Sequence, residues 1–283
     1  MGRKAIEKID MIGKWSEEKL NLLRKYLNAY TNIMKGQSWC RNGYYYIDAF
    51  AGTGTPKSKD EERYVDGSPI VALKAKKPFK SYIFIEKEDW RVKKLEDLKK
   101  KFPELDIKIK QGDCNTIIVN DIIPAIRFEN FNRGIIFLDP FGMEVDWDTI
   151  NGIAKTKALE IFVNFPVMAI NRSILLNNPK KIDKEKIERM NKFWGSEQWM
   201  GEIYKETTDL FERRIEKVSQ TGKSLGSLFQ KRLEELFPCV TFPLVMRNSI
   251  NAPLYCLIFA GHNATGKKIA DTIFKSFEKL QAS

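Results

Sequence analysis

The sequence predicts an α/β fold built on a doubly wound, mostly parallel sheet. Two observations carry that prediction. The run Tyr44-Tyr45-Tyr46-Ile47-Asp48-Ala49-Phe50-Ala51-Gly52-Thr53-Gly54 reads as a buried strand that ends in an acid and breaks into a glycine-rich turn. Doubly wound sheets present a nucleoside-type cofactor at such a turn, where glycines take backbone angles closed to other residues and let a ligand approach the main chain. Three further apolar strands each close on an acid, at Glu86, Asp113 and Asp139. A single strand-end acid is most simply a helix cap; four in succession point to a binding edge.

The elements follow in order. Residues 1–43 form an N-terminal helical extension, with Ser16 as N-cap, Glu17 and Glu18 in the first turn, and Leu20, Leu23, Leu27, Tyr30 and Met34 recurring at helical spacing. Residues 44–166 carry five strands. The first ends at Asp48, and the second, 82–86, is followed by a charged helix over 89–101. The third is 107–110, the fourth 134–138 and the fifth 159–164. The fourth, Gly134-Ile135-Ile136-Phe137-Leu138, is near-continuously apolar, as a central parallel strand should be. Between the first two strands, residues 55–67 are polar and charged, the composition of a flexible loop over the turn. Residues 167–238 read as a mostly helical insertion, a lid or substrate subdomain, too long for a simple crossover. Strands over 241–246 and 254–260 flank an Asn248-Ser249-Ile250-Asn251 turn as a closing antiparallel hairpin, and a last helix spans 267–280. The core thus comprises residues 44–166 and 239–283.

Each strand-end acid suits a different group. Asp48 can accept from the turn amides or meet a cationic ligand. Glu86, beside the turn, can accept both hydroxyls of a ribose, at roughly 1.5–3 kcal/mol per charge-assisted hydrogen bond. Asp113, followed by Cys114, can accept from an exocyclic amine such as that of adenine. Asp139 closes the fourth strand ahead of Pro140, Phe141 and Gly142.

This series resembles the class I S-adenosylmethionine-dependent methyltransferases, which have a Rossmann-like, seven-stranded fold. Asp48-x-Phe50-Ala51-Gly52-x-Gly54 is similar to their first motif, Glu86 to the ribose-binding acid, Asp113 to the adenine-contacting acid, and Asp139-Pro140 to the fourth motif. More narrowly, the chain resembles the three-Cys-motif partner proteins (TcmP), methyltransferase-like proteins of prokaryotes. That likeness rests on Trp15-Ser16-x-x-Lys19-Leu20, the turn from Ile47 to Gly54, Gly67-Ser68-Pro69, Leu138-Asp139-Pro140-Phe141-Gly142, Asn164-Phe165-Pro166 and Asn171-Arg172, and covers nearly the whole chain. The resemblance implies S-adenosylmethionine as cofactor, held by Asp48, Ala49, Phe50, Gly52, Gly54, Ser68, Glu86, Asp113 and Cys114. Asp139 would be the catalytic acid, with Pro140, Phe141, Asn164 and Arg172 toward the acceptor. It also implies a companion with a three-cysteine motif, so two readings stand: an enzyme acting on nucleic acid or protein, and a non-catalytic cofactor-binding scaffold.

Methyl transfer from a sulfonium needs little apparatus beyond alignment and exclusion of water. A strand-end carboxylate such as Asp139 can orient an amino-group acceptor. Methyltransferases acting on exocyclic amines of bases often carry Asp/Asn-Pro-Pro-Tyr/Phe here; this chain has Phe141 and Gly142 at the last two places, a departure that weakens the case for base methylation.

Composition sets limits. The 283 residues, 43% of them hydrophobic, can bury one large core. No run of eighteen apolar residues spans a membrane, and the charged start, with Ile6 where myristoylation wants Ser or Thr after Met1-Gly2, lacks a secretory core. Cys40, Cys114, Cys239 and Cys256 are scattered as reduced thiols, and a single histidine, His262, excludes most hydrolase triads and His-rich metal sites; a cytoplasmic protein without metal is expected. The net charge of +11 suits DNA or RNA. Much of it lies on ordinary helix faces such as Arg91-x-Lys93-Lys94. A denser stretch has Lys180, Lys181, Lys184, Lys186 and Arg189 near Trp194 and Trp199. It reads equally as a base-stacking surface and as a helical hairpin with its tryptophans inside. Finally, Gly261-His262-Asn263-Ala264-Thr265-Gly266-Lys267-Lys268 approaches a phosphate-binding loop, but Lys268 stands where the magnesium-binding hydroxyl belongs. A nicotinamide cofactor is a further alternative for the first turn.

Overall fold

The computed structural model describes residues 8–176, 178–208, 213–217 and 222–282. The Met1-Gly2 start lies outside them, as does part of the segment 167–238. In chain order the elements are β1 (Met11–Ile12), α1 (Lys14–Met34), β2 (Tyr44–Asp48), β3 (Lys57–Ser58), α2 (Ser68–Leu73), β4 (Ser81–Glu86), α3 (Asp89–Lys99), β5 (Ile107–Gln111), α4 (Cys114–Ile117), α5 (Ile123–Ala125) and β6 (Arg133–Leu138). There follow α6 (Trp147–Lys155), β7 (Leu159–Phe165), α7 (Val167–Ser173), α8 (Lys184–Trp194), α9 (Trp199–Ile203), β8 (Tyr204–Thr208), β9 (Arg213–Lys217), α10 (Gly222–Glu234), β10 (Cys239–Val240), β11 (Leu244–Arg247), β12 (Pro253–Gly261) and α11 (Ala264–Ala282). The chain divides into two compact units, residues 1–117 with 129–137, and residues 118–128 with 138–283.

The first unit holds a parallel sheet in the order β6-β2-β4-β5. β4 and β6 are buried along their whole length, the burial that all-apolar parallel strands need. All four strands fall where the sequence places them, to within a residue at each end. An aromatic cluster of Tyr30, Tyr44, Tyr46, Phe79, Tyr82 and Phe84 joins α1 to β2 and β4, with ring centroids 5.5–6.5 Å apart. The predicted stripe on α1 is buried, and Leu22 and Tyr26 widen it. Its N-cap is Gly13, not Ser16, which sits inside the first turn with its amide on the Gly13 carbonyl at 2.9 Å.

Residues 55–67 are not a free loop. β3 pairs in parallel with β1, Ser58 is buried with its hydroxyl donating to Glu17 Oε1 at 2.7 Å, and the Gly67 amide closes on the Gly54 carbonyl at 2.8 Å. Composition alone misreads this stretch because its polar groups find partners within the protein.

In the second unit β12 runs antiparallel to β7 on one side and to β10 and β11 on the other. The strand expected over 241–246 is strand only from 244, in β11, and a separate two-residue strand, β10, stands ahead of it at 239–240. Residues 241–243 separate the two, where Pro243 has no amide to donate, so the described core strands number eight, four in each unit, instead of seven. The segment 167–238, expected to be mostly helical, also contains the antiparallel pair β8–β9. Strand sequences as polar as Tyr204-Lys205-Glu206-Thr207-Thr208 show no apolar alternation to reveal them.

Successive side chains of β7 point to opposite faces. Phe162 meets Phe259 and Phe274, while Phe165 meets Phe193, Trp194 and Phe229. Phe229 lies at the centre of the second cluster, stacked 4.6 Å from Phe165 and 5.4 Å from Phe193 with Trp147 edge-on at 6.1 Å. Truncation there leaves a cavity between several rings: Phe229→Ala is expected to cost about 3–5 kcal/mol in denaturant unfolding. A loss below 1 kcal/mol would show that these rings do not form a packed core.

Candidate functional site

The glycine turn after β2 belongs wholly to the first unit. Gly52 and Gly54 take φ of +61° and +74°, so neither position tolerates a side chain without strain. The turn has few regular backbone partners, and carboxylates supply the rest. Asp48 is fully buried; its Oδ2 accepts from the Tyr46 hydroxyl at 3.1 Å and its Oδ1 from the Phe50 amide at 3.3 Å. Glu86, also buried, accepts from the Gly52 amide at 2.9 Å through Oε2, and from the amides of Lys87 and Glu88 at 2.8 and 2.9 Å through Oε1. The Ala49 amide donates to the Phe137 carbonyl and that of Ala51 to the Ile85 carbonyl, both at 3.0 Å, which ties the turn to the strands on either side. Ser68 opens α2, buried immediately behind the turn.

Two residues of this network were not foreseen. Asp10, just before β1, accepts from the Thr53 amide at 3.2 Å through Oδ2, and through Oδ1 from Arg91 Nε and Nη2 at 3.1 and 2.8 Å. Arg91 Nη1 also lies 3.8 Å from Glu86 Oε1. The sequence places Arg91 on a solvated helix face, yet its side chain is only 19% exposed. No motif marks Asp10, because an isolated acid ahead of a two-residue strand carries no periodicity.

Asp113 is exposed and caps its own helix: Oδ1 accepts from the Thr116 amide at 3.0 Å and hydroxyl at 3.3 Å. Its second oxygen is left for another donor. Cys114 is buried beneath it.

A nucleoside cofactor at the turn would need acceptors for its hydroxyls and donors left unpaired by the protein. A carboxylate offers about four acceptor positions; three amides take three of those of Glu86, which leaves about one for a ligand hydroxyl, not the two of a ribose diol. The Thr53 hydroxyl is buried in the turn without a partner, and an unpaired buried donor calls for an acceptor. The residues present fit such a ligand.

The remaining sequence-predicted residues lie in the second unit. Asn164, 5% exposed at the end of β7, donates through Nδ2 to Asp139 Oδ1 at 2.7 Å. That bond fixes the amide orientation, since a reversed amide would set oxygen against carboxylate. Asn164 Oδ1 is buried and has no donor. Pro140 is buried, whereas Phe141, two residues after Asp139, is a large apolar ring 78% exposed. Arg172 is exposed in the last turn of α7, and the structure does not bring it to that pair. Trp194 and Trp199 are both fully buried, so neither offers a face for base stacking; of the two readings of that stretch, the packed interior is the observed one.

The loop over 261–268 is a helix start. Asn263 Oδ1 caps α11 by accepting from the Thr265 amide at 2.8 Å, and Lys267 is engaged by Asp271 at 2.8 Å. His262 Nε2 contacts the Ala154 carbonyl at 2.8 Å, which requires the proton on Nε2. Burial, followed by the Lys157 charge, pushes the imidazole below its ordinary range, and Nδ1 is enclosed without a partner. Burial pushes the Cys256 thiol up to about 12, removing it as a nucleophile.

No family model matches the sequence, and no curated protein matches it. Among solved structures, protein LPL1258 of Legionella pneumophila, from family DUF519, is similar at 13% identity over 94% of this chain and 91% of its own, with a TM-score of 0.56. At that identity the likeness is one of fold. M. jannaschii TYW2 in complex with AdoMet (12% identity, 91% of this chain and 77% of its own, TM-score 0.36) and the Escherichia coli putative methyltransferase yhhF (12%, 69% and 86%, TM-score 0.33) are more distant. Among the described residues no helix is long and apolar enough to cross a membrane.

The imidazole geometry sets a pH dependence. From about a unit above pH 6.5, the ordinary histidine value, His262 is neutral in both folded and unfolded chains and contributes no slope. Below it the unfolded chain takes up a proton that the buried ring resists, so stability falls with pH. Denaturant midpoints measured from pH 7 downward should show this component in the wild type and lose it in His262→Gln. Identical profiles would mean that the site does not disfavour the charged ring.

Proposed function

We propose that this protein binds S-adenosylmethionine at the glycine turn and is a class I methyltransferase-like enzyme, related to the three-Cys-motif partner proteins. The observation that carries this reading is the carboxylate-held turn: Gly52 and Gly54 at positive φ with the buried Glu86 carboxylate on the Gly52 amide. Asp48, Ala49, Phe50 and Ser68 shape the turn, Glu86 and Asp113 are the acids for ribose and adenine, and Cys114 lines the base side. When bound, the cofactor supplies a methyl group already activated on a sulfonium. The chain's own work is orientation and exclusion of water. In the second unit Asp139 would hold the acceptor, with its carboxylate positioned by Asn164, and exposed Phe141 would contact it.

The acceptor is proposed to be a macromolecule, nucleic acid or protein, chosen with the help of residues 167–238. The net charge of +11 supports a polyanion, and Lys181, Lys184, Lys186 and Lys192 are exposed to meet one. That contact would be electrostatic, because the nearby tryptophans are interior.

Calorimetric titration with S-adenosylmethionine and S-adenosylhomocysteine, with ATP plus magnesium and NAD as controls, tests the reading. Binding of the first pair alone is expected, and Glu86→Ala, shown folded by circular dichroism, should weaken it about tenfold or more through loss of charge-assisted hydrogen bonds. Equal affinity in that variant would overturn the assignment, and binding of ATP or NAD alone would replace the cofactor. Binding without transfer from a labelled methyl donor, together with co-purification of a cysteine-rich protein, would make the chain a scaffold.

A further inference from the structure

The glycine turn already carries an anionic occupant supplied by the chain itself. Residues 10–13 run across it as a strap. Asp10 Oδ2 accepts from the Thr53 amide at 3.2 Å and lies 3.4 Å from where a Cβ on Gly52 would stand. Its other oxygen takes both Nε and Nη2 of Arg91. The Lys57 amide donates to the Asp10 carbonyl and the Lys59 amide to the Ile12 carbonyl, each at 2.8 Å, so β1 and β3 hold the strap down beside the turn. A guanidinium fork and a backbone amide converging on one carboxylate make an anion subsite. The buried Thr53 hydroxyl in the same turn has no partner. Of the groups an S-adenosylmethionine-like ligand brings, its amino-acid carboxylate is the one that matches.

We propose that Asp10 is an internal stand-in for a ligand carboxylate: it occupies an anion subsite formed by Arg91 and the Thr53 amide, and a carboxylate-bearing nucleoside must displace it. The strap is therefore a competitive, self-inhibitory contact. The ligand class rests on the reading under Proposed function, whereas the subsite rests on the Asp10–Arg91–Thr53 geometry alone. If the strap closed the site nine parts in ten, it would reduce the apparent affinity about tenfold, and freeing it would raise affinity by about that factor.

Titrations of wild type, Asp10→Ala and Asp10→Asn with S-adenosylmethionine and with 5′-methylthioadenosine, which has the nucleoside but no carboxylate, test this. Both variants should bind the first about tenfold more tightly and the second as wild type does. Amide hydrogen exchange over residues 10–13 should rise in wild type when S-adenosylmethionine binds and stay unchanged with 5′-methylthioadenosine. Unchanged or weaker S-adenosylmethionine binding by the variants overturns the proposal. If no form binds either nucleoside, the cofactor reading fails, and formate decides the subsite. At constant ionic strength, formate should raise the melting temperature of Asp10→Ala but not of wild type or of the double variant with Arg91→Ala. Absence of that rise overturns the subsite as well.

Discussion

The Glu86 carboxylate holds the amides of Gly52, Lys87 and Glu88 at once and so locks the end of β4 to the turn that follows β2. The turn needs such a partner. Its glycines sit in left-handed conformations that no regular ladder satisfies, and a buried donor left unpaired costs about 1–3 kcal/mol. Asp48 and Asp10 perform the same service for Phe50 and Thr53. Three acids thus enclose a short stretch of main chain, and the charge buried on Asp48 and Glu86 is made tolerable by the donors around them. A ligand that claims an acid here competes with a backbone amide or shares it.

The second unit solves a different problem, the burial of large rings on both faces of one strand. Phe162 and Phe165 of β7 each enter an aromatic cluster, and Asn164 lies at the end of the strand where its amide reaches Asp139. Packing on both sides of β7 gives that hydrogen bond a rigid base. The same packing takes Trp194 out of solvent, and Trp199 is also buried, so neither tryptophan stands beside the exposed Lys181, Lys184, Lys186 and Lys192 as a stacking face.

Legibility followed burial. The strands ending at Asp48, Glu86 and Leu138 were readable because a strand covered on both faces must be apolar throughout. The strap and residues 55–67 were not, since β1 and β3 are two residues each and their contacts join positions more than forty apart. The pair β8–β9 escaped for want of alternation, and the break before β11 came from Pro243, a local signal that a run of β-formers on either side obscured. Among candidate site residues, Asp48, Gly52 and Glu86 were both readable and gathered together, and so were Asp139 and Asn164. Asp113 was readable as an acid at a strand end, but its hydrogen bonds to Thr116 make it a helix cap first.

The sequence by itself determined the α/β class, the succession of acids at strand ends and the glycine turn, because these depend on residue type and on spacing of a few positions. Only the tertiary structure decided which donors those acids meet. It set Asp10 and Arg91, eighty-one positions apart, on either side of one carboxylate bond, and it turned the tryptophans inward. Such choices depend on how distant segments are brought together, and that information is spread over the whole core and not written in any one stretch of the chain.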